Sequence, residues 1–208
     1  QFLANRGYAV LQINFRGSYG YGKKFMIGGF KKWGTAIQND ITDGVKWLIN
    51  QNIADKNRIA IYGSHFGGFC ALSGLYKQPD LYVCGASQGG YINLFTYLKA
   101  VPPYYKPTLR MYYEVIGNPE TDMDYLRAAS PVFHADKIQA PVLIAQDAKD
   151  ARSKINETNQ FVRELRQRKI PVTYIVKEKE KYSLKNPENR IEFYRELEAC
   201  FAKNLAAK

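Results

Sequence analysis

Histidine is nearly absent from this chain: His65 and His134 are the two it has, alongside three cysteines, Cys70, Cys84 and Cys200. That scarcity excludes a metal centre built on clustered imidazoles and thiolates, which needs three or four ligands at short spacing. No metal and no other cofactor is therefore expected. The odd number of cysteines argues against a disulfide framework, so free, mostly buried thiols are expected, and reduced thiols lean towards a cytoplasmic setting. No apolar run approaches the roughly 20 residues of a membrane span. A basic-then-apolar leader is missing as well, and the chain starts at Gln1 rather than Met, so it reads as part of a longer protein. Internal repeats and low-complexity linkers are also missing, and one domain over 1–208 is expected.

Acidic residues are outnumbered, 19 against 30 Lys and Arg, for a net charge of +11. A clustered positive surface would point to a polyanion. Here the cations are spread along the chain and interleaved with Glu, as in Lys177-Glu178-Lys179-Glu180-Lys181. A solvated surface is the plainer reading, and no nucleic-acid or membrane partner is expected; polyanion binding stays open as a third functional reading.

What is present is an alternation of short apolar runs with amphipathic stretches, which predicts an α/β fold around a mostly parallel sheet. Tyr8 to Phe15 reads as a strand, followed by a loop with Gly17, Gly20 and Gly22. Thr35 and Gln38 have capping-box spacing ahead of a helix with Ile37, Ile41, Val45 and Leu48 on one face. Strands are expected at Arg58–Tyr62, Cys84–Ser87, Pro141–Gln146 and Val172–Val176, with helices over Phe66–Lys77 and Ile155–Arg168. Residues 91–135, dense in Tyr and Pro, break the alternation and predict short helices over one end of the sheet. Their tyrosines (Tyr91, Tyr97, Tyr104, Tyr105, Tyr112, Tyr113) suit packing or the lining of a pocket. The last helix is expected from Pro187, with Ile191, Tyr194, Leu197, Phe201 and Leu205 facing inward.

The most informative stretch is Ile59 to Phe69, where an apolar strand runs through Gly63-Ser64-His65-Phe66-Gly67-Gly68 into a helix. Small residues two before and two after a central position are the requirement of a nucleophile elbow, whose central side chain stands clear of the strand's carboxyl end. That central residue is His65, where serine is wanted. Ser64 lies one place early and is expected to point at backbone. His134 precedes the strand at Pro141, so it enters at the amino end of the sheet, about 20 Å from the carboxyl end that carries α/β active sites. A structural hydrogen bond is expected of it.

With these residues in view, the chain resembles the catalytic domain of the prolyl-oligopeptidase family of serine peptidases, in the manner of its acylaminoacyl-peptidase-like branch. The likeness rests on Asn14-Phe15-Arg16-Gly17-Ser18 with Gly20-Tyr21-Gly22, on Asp40 to Trp47, on Ala54-Asp55 with Arg58, and on Ser130-Pro131 with His134 to Ile138. Pro187-Glu188-Asn189-Arg190 adds the start of the final helix. The resemblance implies an α/β-hydrolase three-layer sandwich, present from about its fourth strand onward, with a β-propeller upstream.

The resemblance also places a catalytic triad. Its acid falls on Asp150, followed by Arg152; its nucleophile falls on His65 and its base on Tyr182. The backbone N–H of Phe66 falls where one oxyanion donor is expected. The surrounding loops depart from the family as well: Asp147 stands for a glycine, Ala151 and Ser153 for a proline and a valine, and the glycines around the base are gone. The expectation is a catalytically inactive family member that keeps a cleft for a peptide or small acyl ligand. A peptidase working through an atypical site is the alternative. A further expectation is that His65 lies within hydrogen-bond reach of Asp150, directly or through one water, with its pKa raised.

Overall fold

The computed structural model describes residues 1–102, 104–181 and 184–206. Four strands form one fully parallel sheet in chain order: β1 (Ala60–Ser64), β2 (Cys84–Gln88), β3 (Val142–Asp147) and β4 (Val172–Lys177). Parallel neighbours need long crossovers. These are supplied by α3 (Phe66–Lys77) between β1 and β2, by a helical insertion between β2 and β3, and by α7 (Ile155–Gln167) between β3 and β4. The insertion holds α4 (Leu94–Lys99), α5 (Lys106–Val115) and α6 (Met123–Ala129). Before the sheet come α1 (Lys23–Ile27) and α2 (Ala36–Asn50), and α8 (Pro187–Leu205) follows it.

The pleat divides the central strands between two cores, because successive side chains point to opposite faces. Val142 and Ile144 pack with Leu72 and Leu75 of α3 and Phe161, Val162 and Leu165 of α7. Leu143 and Ala145 pack with Cys84 and Ala86 of β2 and with Phe193, Leu197, Phe201 and Leu205 of α8. Helices therefore cover both faces of the sheet, in three layers. Each fully buried leucine or phenylalanine among these contributes roughly 1.5–3 kcal/mol of transfer free energy. The insertion packs its own aromatic cluster against Ile37 and Phe69.

Three expectations are corrected. Tyr8 to Phe15 forms no strand and joins no ladder among the described residues, since strand propensity makes a strand only beside a hydrogen-bonding neighbour. Ile13 of that segment instead packs on α2, where a Cβ added to Gly44 would stand 2.5 Å from its Cδ1. Thr35 does precede α2, yet its side chain makes no capping bond and Gln38 is turned into the interior. On α8, Ile191 is 51% exposed, and Phe193 takes its place on the buried face. Among the described residues no helix is long and apolar enough to cross a membrane.

Candidate active site

The turn from β1 into α3 has the expected sharp shape. His65 sits between Ser64 and Phe66 with φ 53° and ψ −109°, a backbone region that costs a non-glycine residue about 1–3 kcal/mol. Surrounding structure holds it there: its N–H donates to Gln88 O at 2.8 Å, and its carbonyl accepts from Phe69 N at 3.0 Å. The glycine requirement is real at Gly63, where any Cβ would collide with the Gly67 backbone. At Gly67 a Cβ would meet nothing within 4 Å. The second close approach is instead at Gly68, whose Cβ would stand 2.8 Å from Gly90 Cα. The strain thus presents one side chain at the carboxyl end of the sheet, and that side chain is an imidazole. Phe66 opens α3, so its N–H is one of the donors a helix start leaves unmatched within the helix.

Asp150 lies beyond the end of β3 and is 5% exposed. Its Oδ1 accepts from Arg152 N at 2.7 Å and from Ser153 N at 3.0 Å. Its Oδ2 has no hydrogen-bond partner among the described residues. Asp150 and His65 converge beside Gly89: a Cβ there would stand 3.3 Å from His65 Nδ1 and 4.0 Å from Asp150 Oδ2. The structure therefore brings the elbow residue and the acid to one place. Of the two arrangements expected, direct or through one water, a direct bond from His65 Nδ1 to Asp150 Oδ2 is not made, while the two atoms face the same spot beside Gly89.

The expected rise in the His65 pKa is also reversed. Burial disfavours the imidazolium and pushes the pKa below its ordinary value. The Asp150 charge and an acceptor at Gly89 pull upward, Arg152 pushes down again, and desolvation wins.

Tyr182, expected at the base position, lies outside the described residues. Described residues on either side of it are hydrogen-bonded. Lys149 N donates to Glu180 O at 3.0 Å, and Glu180 Oε1 accepts from Asn186 N at 2.9 Å and Asn189 Nδ2 at 2.8 Å. Asn189 donation and the Asn186 amide hold the Glu180 pKa below the usual carboxylate range. Residues that read as departures from the family are wired in as well. Asp147 Oδ2 accepts from Leu184 N at 3.4 Å, and Ser153 Oγ donates to Gly90 O at 2.8 Å. Gln146 completes this network, donating to Ser153 O at 2.8 Å and accepting from Thr158 Oγ1 at 2.9 Å. Sequence reasoning missed Gln146 near the end of β3, Thr158 in α7 and Glu180 after β4, since lone polar residues carry no pattern of their own.

Beside the elbow, the insertion tyrosines mostly pack. Tyr91 and Tyr97 are each 6% exposed, with ring centroids 4.2 Å apart, and Tyr112 stacks on Tyr97 at 5.9 Å. Trp33 and Phe66 close the cluster at 4.4 Å. Tyr104 and Tyr105 are exposed and stand apart from it. Burial opposes the charge on Arg152, but the hydroxyls of Tyr112, Tyr97 and Tyr91 outweigh it and raise its pKa. That places a guanidinium against tyrosine hydroxyls at the edge of the elbow.

The remaining candidates fall elsewhere. Ser64 is part of the β1 ladder, in register with Gln88. The His134 ring nitrogen Nε2 bonds Ala128 O at 2.9 Å, and its ring stacks on Tyr76 at 4.5 Å. That is the structural role expected of it. No group of three or more His, Cys, Asp and Glu among the described residues could hold a metal ion.

Comparison with known proteins bears on this arrangement. The family profile of prolyl oligopeptidases matches residues 1–208. The chain belongs to the prolyl oligopeptidase family. A dipeptidyl aminopeptidase BIII from Pseudoxanthomonas mexicana is 39% identical over 210 residues, covering all of this chain and 30% of that protein. The acylamino-acid-releasing enzyme of Arabidopsis thaliana is 26% identical, over 97% of this chain and 27% of its own length. The Pyrococcus horikoshii acylaminoacyl peptidase superimposes with a TM-score of 0.80 at 26% identity, over 92% of this chain and 32% of that one. A puromycin-hydrolysing peptidase of Mycobacterium tuberculosis shares the fold with a TM-score of 0.86 at 24% identity, over 94% and 29% of the two chains. The α/β-hydrolase fold follows, and the chain spans about a third or less of the length of these relatives.

Proposed function

We propose that this chain is a catalytically silent member of the prolyl oligopeptidase family whose cleft receives a peptide segment without cleaving it. One observation carries the reading: the strained apex that family chemistry reserves for an attacking hydroxyl holds His65, while Ser64 belongs to the β1 ladder. A neutral imidazole at that apex has no hydroxyl to acylate. The degenerate triad positions His65, Asp150 and Tyr182 then serve binding and loop structure rather than bond breaking. The Phe66 N–H, the Arg152 guanidinium and the half-buried Tyr112 supply donors and aromatic surface for a peptide backbone. An upstream β-propeller, as the family resemblance implies, fits the greater length of the relatives.

The second reading, a peptidase with an atypical site, draws on the peptidase names of the relatives and on the oxyanion donor position at Phe66. Steady-state turnover of aminoacyl and peptide esters by the full chain separates the two. The proposal expects no saturable turnover above buffer. Saturable turnover of about 1 s⁻¹ or more, within tenfold of a median enzyme, that disappears in Ser64→Ala or His65→Ala would overturn it.

A further inference from the structure

Two of the three cysteines meet on the face of the sheet that α8 covers. Cys84 opens β2, and Cys200 lies late in α8. The pleat turns Cys84 and Ala86 towards α8, while the intervening Gly85 faces α3, where an added Cβ would stand 2.7 Å from Leu75 Cδ1. Cys200 packs against the same cluster from the flank of the buried stripe formed by Leu197, Phe201 and Leu205. The two thiols lie beside each other. Their exposure differs: Cys84 is 0% exposed, and Cys200 is half-buried. Asn204, one turn on, donates its side-chain amide to Cys200 O at 2.7 Å and reaches Cys200 Sγ at 3.8 Å. Cys70 is buried elsewhere, in the aromatic cluster with Phe69 and Leu94.

We propose that Cys84 and Cys200 are a redox pair, a thiol–disulfide site whose oxidation crosslinks β2 to α8. The pair has an attacking and a resolving member. Cys200 is the one that solvent reaches, and its thiolate is favoured: the adjacent Cys84 thiol lowers its pKa, the Asn204 amide and Lys203 assist, and burial and Glu196 oppose. Cys84 is pushed the other way by the Cys200 contact and by burial, so it keeps its proton. That difference suits the two steps of oxidation by a hydroperoxide. The Cys200 thiolate attacks one peroxide oxygen, the O–O bond breaks, and a sulfenic acid and hydroxide form. The Cys84 sulfur then attacks the Cys200 sulfur, and its proton leaves with the hydroxyl group as water. Two thiols lose two hydrogens in all, and hydrogen peroxide is reduced to two waters. Cys70 has no second thiol in its cluster among the described residues, so it stays free and accounts for the odd count. The crosslink joins positions far apart in the chain, which restricts the unfolded ensemble and stabilises the oxidised form.

The test is oxidation of the folded full chain with hydrogen peroxide, at a dose that converts glutathione to its disulfide. Remaining thiols are then alkylated in denaturant and the peptides mapped by mass. The expected product is a linked Cys84–Cys200 peptide pair, lighter by two hydrogens than the reduced pair and restored by dithiothreitol, with Cys70 alkylated. The oxidised chain should also unfold at a higher urea concentration than the reduced chain. In Cys200→Ser, a change at a half-buried position, neither the link nor the rise should appear, and Cys84 should stay open to alkylation. The mapping of the unmutated chain reads the link even if that variant fails to fold. Three alkylated cysteines after peroxide would overturn the proposal. So would Cys200 carried on to a sulfinic acid beside a free Cys84, or a link between two chains through Cys200.

Discussion

Two turns at the carboxyl end of the sheet have fared differently. The β1–α3 turn has the strained shape of a nucleophile elbow with an imidazole at its apex; the β3–α7 loop is organised by a buried carboxylate, Asp150. His65 adopts the strained apex although it has no hydroxyl to deliver, because Gln88 O, Phe69 N and the glycine at 63 fix the backbone. Asp150 remains because two backbone amides depend on its Oδ1. A nucleophile has little structural work outside catalysis, whereas a buried carboxylate that organises a loop is costly to remove. Asp147 and Ser153 are hydrogen-bonded parts of the same region.

The largest effect expected from this comparison is at the elbow backbone. Gly63→Ala should cost about 3 kcal/mol or more in urea unfolding, or prevent folding, since the added methyl meets the Gly67 backbone. Gly67→Ala should be neutral or stabilise by up to about 1 kcal/mol, through helix propensity in open space. Equal losses at the two positions would mean that the turn is held differently.

Asp150→Ala comes next. Two charge-assisted bonds to buried backbone are lost, so roughly 2–4 kcal/mol of stability should go with them, read from the denaturation midpoint. Asp150→Asn keeps an acceptor oxygen and should lose clearly less. A carboxylate without structural duty would show little loss in either variant.

A smaller effect is pH-dependent. The His65 pKa is lowered on folding, so between its folded value and about 6.5 the unfolded chain binds a proton that the folded chain refuses. Stability should be level above pH 6.5 and fall as the pH drops below it. His134 is shifted down as well, again chiefly by burial, and acts in the same direction. His65→Gln should flatten part of the decline, and an NMR titration should place the His65 midpoint below 6.5. A midpoint above 6.5 would restore the carboxylate-paired imidazolium. His134→Gln, at the opposite end of the sheet, should cost under about 1 kcal/mol and leave cleft binding untouched.

Much of this was legible in the sequence, for physical reasons. The four paired strands and the long helices announce themselves by apolar runs and helical periodicity, and the Gly63–Gly68 segment has a local grammar that fixes the elbow. Tyr8–Phe15 misleads because a strand is a property of a pair of segments, and propensity reports one of them. Ile191 misleads because the buried face marked by Leu197, Phe201 and Leu205 runs back at four-residue spacing to Phe193. The His65–Asp150 relation was legible in position but not in sign. That the two converge follows from the fold, but whether burial or a carboxylate sets an imidazole pKa depends on distances and on what else the carboxylate holds. The capping box at Thr35 and Gln38 failed for a related reason: tertiary burial of Gln38 overrode its local spacing.

The most direct test of the central claim, that the elbow presents no hydroxyl nucleophile, is exposure of the chain to a fluorophosphonate with mass-spectrometric mapping of any adduct. No stoichiometric adduct is predicted on any serine, because His65 holds the apex and Ser64 is bound into β1. A stoichiometric adduct on Ser64, abolished in Ser64→Ala, would contradict it.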